Sequence, residues 1–165
     1  MYKMRNIFRI MMIGLFGIGT ASGQITKVDQ EVYGMDCAPC AYGLERGLKK
    51  MDGLQEVRVS LNDGKAYMVG LAAENGLKLR SIQEEVKKNG FSAKKAEVTL
   101  IGNAEKEDGQ WYIETANERF SVSQDTPTAL LQKLTVGTAS ISGTVHDEED
   151  DNLSGQWSIV LTKIE

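Results

Sequence analysis

Both cysteines of this chain stand two residues apart, in the run Gly34-Met35-Asp36-Cys37-Ala38-Pro39-Cys40. Two thiolates at that spacing can grip one soft metal ion, or they can close on each other as a disulfide. The residues after the pair favour the anionic form. Ala41, Leu44, Leu48 and Met51 recur at helical spacing, and a helix N-terminus presents unpaired N–H groups and a partial positive charge. The pattern predicts Cys40 in the first helical turn, with Pro39 just before it, where a missing N–H costs least. Cys37 is expected in the preceding loop, with Met35 turned inward beneath it. That makes a shallow, accessible pair of sulfurs.

Two thiolates alone suit ions content with few ligands, above all Cu(I) and by extension Hg(II). A structural zinc site wants four ligands, usually Cys and His. The single histidine, His146, lies far away in sequence, so a closed zinc finger is excluded by count. Asp36 leaves two readings open. As an oxygen ligand beside Cys37 it would tilt the site toward Zn(II), Cd(II) or Pb(II). As a loop residue it would accept hydrogen bonds from N–H groups near the helix start. A structural staple is a weak reason for the pair, because a bridge across two residues removes little unfolded-state entropy.

The elements that must position this loop can be read on either side of it. Ile25 to Tyr33 alternates apolar and polar residues, as a strand does. After the first helix, Asp52-Gly53 is a stop. Val57, Val59 and Leu61 then alternate with polar residues, and Asn62-Asp63-Gly64 marks a hairpin into Ala66 to Leu71. Leu79, Ile82 and Val86 make the stripe of a second helix, ended by Asn89-Gly90. Phe91 to Glu97 begins another strand. The expected fold class is therefore α+β, with a ferredoxin-like βαββαβ domain over 24–97.

Residues 98–165 read as a smaller, mostly β unit. Val98–Ile101, Trp111–Ile113, Phe120–Val122, Ser140–Val145 and Trp157–Ile164 look like strands, with a short helix over Pro127–Leu134. Three strands, a helix and two strands are compatible with an OB-like barrel. No linker separates the halves, and one long strand around Ala96 is expected to run through both.

With those elements in place, the sequence resembles a known family. The Gly-Met-x-Cys-x-x-Cys string, its amphipathic helix and the order of elements over 25–97 are similar to the heavy-metal-associated domain. That domain occurs in copper chaperones, periplasmic mercury-binding proteins and N-terminal modules of metal-exporting P-type ATPases. The resemblance implies that Cys37 and Cys40 bind the metal, that Met35 is a buried support, and that Gly90-Phe91 packs beside the site. Asp36 stands where Thr is commoner and is similar to zinc-exporting ATPase modules, in which that Asp helps bind the ion. Soluble copper chaperones often carry a Lys near the position of Phe91, and none stands here. The implied mechanism is ligand exchange. Thiolates of a partner, a membrane metal transporter or another CxxC domain, attack the exposed ion and carry it off through a three-coordinate intermediate.

The bulk of the chain fits an exported carrier. Met1 to Arg9 holds Lys3, Arg5 and Arg9 with no acid, Ile10–Ile18 is nearly all apolar, and Ala21-Ser22-Gly23 offers small residues for cleavage. This is the order of a secretory signal over 1–23. The apolar run is too short for a bilayer span, and it holds no cysteine for lipidation. A mature chain from Gln24 is expected to be periplasmic or otherwise exported, soluble, and not inserted in a membrane. Of 19 basic and 23 acidic residues, the signal takes three basic ones, leaving 16 against 23 and a net charge of −7. So acidic a chain is a poor nucleic-acid binder.

Two rivals share the features above. A thiol–disulfide oxidoreductase also places Cys-x-x-Cys at a helix start, but no Trp precedes Cys37 and a hairpin comes after the helix. An interaction module would dock a partner through Trp111, Tyr112, Phe120 and Trp157, and cutting at Lys95 would test it. Aromatics alternating in short strands more often fill a core. His146-Asp147-Glu148-Glu149-Asp150-Asp151 lacks the Gly and the oxygen spacing of a calcium loop and reads as a solvated hairpin tip. No Ser–His–Asp set, phosphate-binding glycine loop or paired catalytic carboxylates appear, so no enzyme is expected.

Overall fold

The computed structural model describes residues 23–70, 76–146 and 157–165. The signal-like residues 1–22, Leu71, and the acidic run from Asp147 lie outside them. Eleven elements succeed one another: β1 (Gln24–Tyr33), α1 (Ala38–Leu48), β2 (Leu54–Ser60), β3 (Lys65–Gly70), α2 (Leu79–Lys88), β4 (Ser92–Glu107), β5 (Gln110–Glu114), β6 (Arg119–Val122), α3 (Thr128–Leu131), β7 (Gly137–Val145) and β8 (Trp157–Ile164). Helices and strands are mixed along the chain, an α+β arrangement.

The sheet order is β2-β3-β1-β4-β5-β6-β8-β7, and β7 returns to pair with β4. The first four strands, with α1 and α2, form the antiparallel βαββαβ arrangement read from the sequence. The last five close into a ring. Every pairing in the ring is antiparallel except β6 with β8.

β4 belongs to both parts. The strand expected around Ala96 to run through both parts is one of 16 residues. The expected boundary between 97 and 98 falls inside it. β1 pairs with β4 from Ser92 to Ile101, and β5 takes over from Asn103 to Glu107. β7 pairs with Ala96 through Ala104. Gly23 sits at the changeover, its carbonyl accepting the Ala116 N–H at 2.8 Å. Cutting at Lys95 would therefore remove core strand from both parts and would not isolate a docking unit.

Packing obeys the sequence periodicities. α1 buries Ala41, Leu44 and Leu48, and α2 buries Leu79, Ile82 and Val86. These join Ile25, Val28 and Val32 of β1 and, through Val98, Leu100 and Ala104 of β4, the ring interior of Ile113, Phe120, Ile141, Trp157, Ile159 and Leu161. The core is continuous. Phe120 and Trp157 fill it, and Trp111 packs against it. Tyr112 lies under the Arg119 guanidinium, 4.0 Å from ring to cation.

Two polar ties have no signal in the sequence. Burial along β4 slips at Lys94-Lys95 and alternates from Ala96 onward, the slip standing opposite a register shift between Gln30 and Val32. The fully buried Gln30 amide donates there to the carbonyls of Lys94 (3.1 Å) and Lys95 (3.3 Å), so both carbonyls at the bulge find a donor. The second tie is Glu118. The N-cap of α2, Lys78, makes no side-chain capping bond. Glu118, in the β5–β6 turn, accepts from Leu79 N–H (2.7 Å), Arg80 N–H (3.0 Å) and Trp157 Nε1–H (3.1 Å). One carboxylate thus caps α2 from the ring, and Asn117 adds a bond to the Gly76 carbonyl at 3.2 Å. Glu118→Ala is expected to cost about 2–3 kcal/mol, because three donors lose a charged acceptor. Denaturant unfolding checks it, and a loss within about 0.5 kcal/mol, the range of an unremarkable surface change, would count against the tie.

Candidate metal-binding site

β1 ends at Tyr33, and the chain turns at Gly34 with φ +89°, a conformation side chains rarely adopt. Met35 then points into the core, 7% exposed, while Asp36 stays at the surface. Cys37 is the N-cap of α1 in extended conformation, Ala38 and Pro39 are the first helical residues, and Cys40 completes the first turn. The Cys40 N–H donates to Cys37 Sγ at 3.2 Å, and the Cys37 carbonyl accepts from the N–H groups of Cys40 (3.0 Å) and Ala41 (3.1 Å). A sulfur takes the place usually held by a Ser or Asp oxygen. Proline fits here because a first-turn N–H has no intrahelical partner to lose.

The second wall of the loop comes from the end of α2. Gly90 closes that helix at φ +86°, and the Phe91 N–H donates to the Val86 carbonyl at 3.2 Å. The Phe91 ring is half-buried against the core and approaches Gly34, with Cδ1 4.0 Å from where a Cβ would stand. Loop and ring hold each other in place. On the hairpin side, the Val32 N–H donates to the Gly64 carbonyl at 2.8 Å.

The two sulfurs are joined as a disulfide, with Cα atoms 5.1 Å apart. Both cysteines are partly exposed, and Cys40 leans on the core. Among the described residues no group of three or more His, Cys, Asp and Glu is gathered that could hold a metal ion. His146 is exposed just past the end of β7. The structure thus joins Cys37 to Cys40, buries Met35 in the core, sets Phe91 against Gly34, and leaves Asp36 at the surface. Tyr33 (71% exposed) and Tyr42 (64%) flank the motif in sequence. Neither stands out in the sequence, since an exposed aromatic leaves no periodic trace.

Residues 31–92 match the heavy-metal-associated domain family. This segment is a heavy-metal-associated domain. The domain takes in β1 from Glu31, the cysteine loop, both long helices and the first residue of β4, and covers less than half of the chain. The copper-exporting P-type ATPase of Bacillus subtilis (strain 168) is 35% identical to this chain over 78 residues, 46% of this chain and 10% of that protein. The chain therefore spans only a tenth of the ATPase's length. Among solved structures, a copper-binding domain from a P-type ATPase is 32% identical over 44% of this chain and 92% of that one, with a TM-score of 0.38. The yeast copper transporter domain Ccc2a is 24% identical over 41% and 90%, also at 0.38. Among the described residues no helix is long and apolar enough to cross a membrane.

Proposed function

We infer that the chain captures one soft metal ion, Cu(I) before Hg(II), through the reduced Cys37 and Cys40, and passes it on by thiolate exchange. The observation that carries this reading is the placement of Cys37 at the N-cap and Cys40 in the first turn of α1 within a heavy-metal-associated domain. Reduction of the disulfide frees two sulfurs held within one helical turn, and the N-cap sulfur already accepts an amide N–H. That donor and the helix terminus both favour a thiolate. Two soft donors in an open loop suit a linear or trigonal ion that must leave again. The likeness to a copper exporter's segment supports copper over the harder ions.

The receiving partner is a membrane metal transporter or another CxxC domain, and the carrier works as an exported binding module without catalysis. The ring of β4–β8 is an OB-like barrel on this reading. Its strand order, its parallel β6–β8 pair and the helix between β6 and β7 support that assignment.

Competitive titration of the reduced protein with Cu(I), Hg(II) and Zn(II) tests the proposal. One equivalent of Cu(I), held in preference to Zn(II), is expected. Asp36→Thr is expected to weaken Zn(II), Cd(II) and Pb(II) and leave Cu(I) unchanged, because only the harder ions gain from a carboxylate oxygen. Absence of stoichiometric Cu(I) would overturn the reading. The disulfide itself favours one alternative, thiol–disulfide exchange. Appreciable insulin reduction by the same sample would support that activity instead.

A further inference from the structure

The heavy-metal-associated sheet has two flanks, and they end differently. On the β4 flank, β7 and β5 continue the hydrogen bonding into the ring. On the other flank, β2 pairs with β3 alone among the described residues. An unpaired edge is a template for another strand unless something blunts it.

β2 reads Leu54-Gln55-Glu56-Val57-Arg58-Val59-Ser60. The Val59 N–H points away from β3, since it is bonded to Glu45 Oε2 of α1 at 3.0 Å. In an antiparallel ladder alternate residues present their N–H and C=O to the same side, so Val57 faces outward too. If a second β2 is paired antiparallel about Val57, the two Val57 residues exchange both backbone bonds. Glu56 of each copy then stands opposite Arg58 of the other. The strand is complementary in charge to itself, as an isologous contact requires. Arg58 is already fixed on the outer face of the sheet, its guanidinium 4.2 Å over the Tyr67 ring.

We propose that β2 is a self-association edge whose partner is the β2 of a second copy of this chain, in register about Val57, with Glu45 as its brake. Glu45 holds the Val59 N–H that the outer bonds of that ladder would need, so association is weak while the carboxylate stays in place. The proposal is independent of what the cysteines bind.

Sedimentation velocity from micromolar to millimolar protein tests it, in a Cys37→Ser/Cys40→Ser background that rules out intermolecular disulfides. A concentration-dependent dimer is expected at the upper end of that range. Arg58→Glu sets like charges opposite each other twice and should weaken the dimer about tenfold or more. The exchange Glu56→Arg/Arg58→Glu restores complementarity and should bring the dimer back, which a merely structural effect of losing Arg58 would not do. Glu45→Ala should tighten it. A monomer throughout the range, a charge-exchanged variant as weak as the single one, or a Glu45→Ala variant no tighter than its parent would each overturn the proposal.

Discussion

A Cys37→Ser/Cys40→Ser double variant is expected to lose stoichiometric Cu(I) binding altogether while keeping its fold. The reason lies in donor chemistry. Serine replaces a soft, readily ionised sulfur with a hard hydroxyl that stays protonated at neutral pH, so neither position can act as a soft anionic ligand. No third group among the described residues is placed to substitute, and affinity should fall by several orders of magnitude. Structure should survive, because the N-cap role passes from sulfur to a hydroxyl, which caps well, and a bridge closing so short a loop adds little stability. The oxidised wild-type protein is expected to behave like the double variant toward metal. A disulfide carries no anionic sulfur, so Cu(I) uptake should appear only after a thiol reductant donates two electrons to the Cys37–Cys40 bond and is itself oxidised to a disulfide. Copper titration with and without prior reduction, beside circular dichroism, checks both statements. An oxidised protein that still binds one equivalent would show that the cysteines are not the ligands.

The distribution of what the sequence revealed has a physical basis. The cysteine loop was legible because its signals are local: a methionine turned inward, a proline at the helix start and an apolar stripe all fall within one short run. The ring strands were legible for the same reason, since alternation is a short-range pattern. What escaped depends on pairs far apart in the chain. Glu118 looks like a turn residue until the ring brings it to the start of α2, 39 residues away from Leu79. Gln30 looks like a polar strand position until a bulge opposite Lys94-Lys95 leaves carbonyls for it to satisfy. The continuity of β4 was legible only in part. An expected strand around Ala96 gave the passage between the two patterns, but which neighbours flank each half is a property of the closed ring. The redox state of the cysteines has no sequence signal at all, because the same spacing serves a dithiol and a disulfide.

Glu45 adds a pH dependence to the same frame. The hydrogen bond from Lys49, and after it the one from the Val59 N–H, hold the Glu45 carboxyl below its ordinary value. A carboxylate so lowered contributes its stabilisation above the unfolded-state value and loses it as pH falls through the lowered folded one. The α1–β2 tie therefore persists to more acid conditions than an unpaired glutamate would allow. It weakens only when that carboxylate takes up a proton. Because Glu45 is near the surface, ordinary salt screens part of the effect.

Phe120→Ala is expected to lower the unfolding free energy by about 3–5 kcal/mol, the usual range for emptying a buried phenylalanine site. Phe120 is fully buried, opposite Ile113 on one side and Trp157 on the other, and the small ring gives the cavity little room to collapse. Against a typical total of about 5–15 kcal/mol, that is a large fraction. The more informative expectation concerns where the loss is felt. β4 supplies core residues to both the heavy-metal-associated domain and the ring, and Glu118 fastens α2 to Trp157. A cavity at Phe120 should therefore destabilise the helices that carry the cysteines, although no part of Phe120 lies near them in the chain. Tryptophan fluorescence, from Trp111 and Trp157 in the ring, and the far-UV helix signal, dominated by α1 and α2, should shift to lower denaturant together and in one transition. If the helix signal instead keeps its wild-type midpoint while the fluorescence transition moves, β4 does not couple the two parts. The ring would then be a passenger on the domain that holds the cysteines.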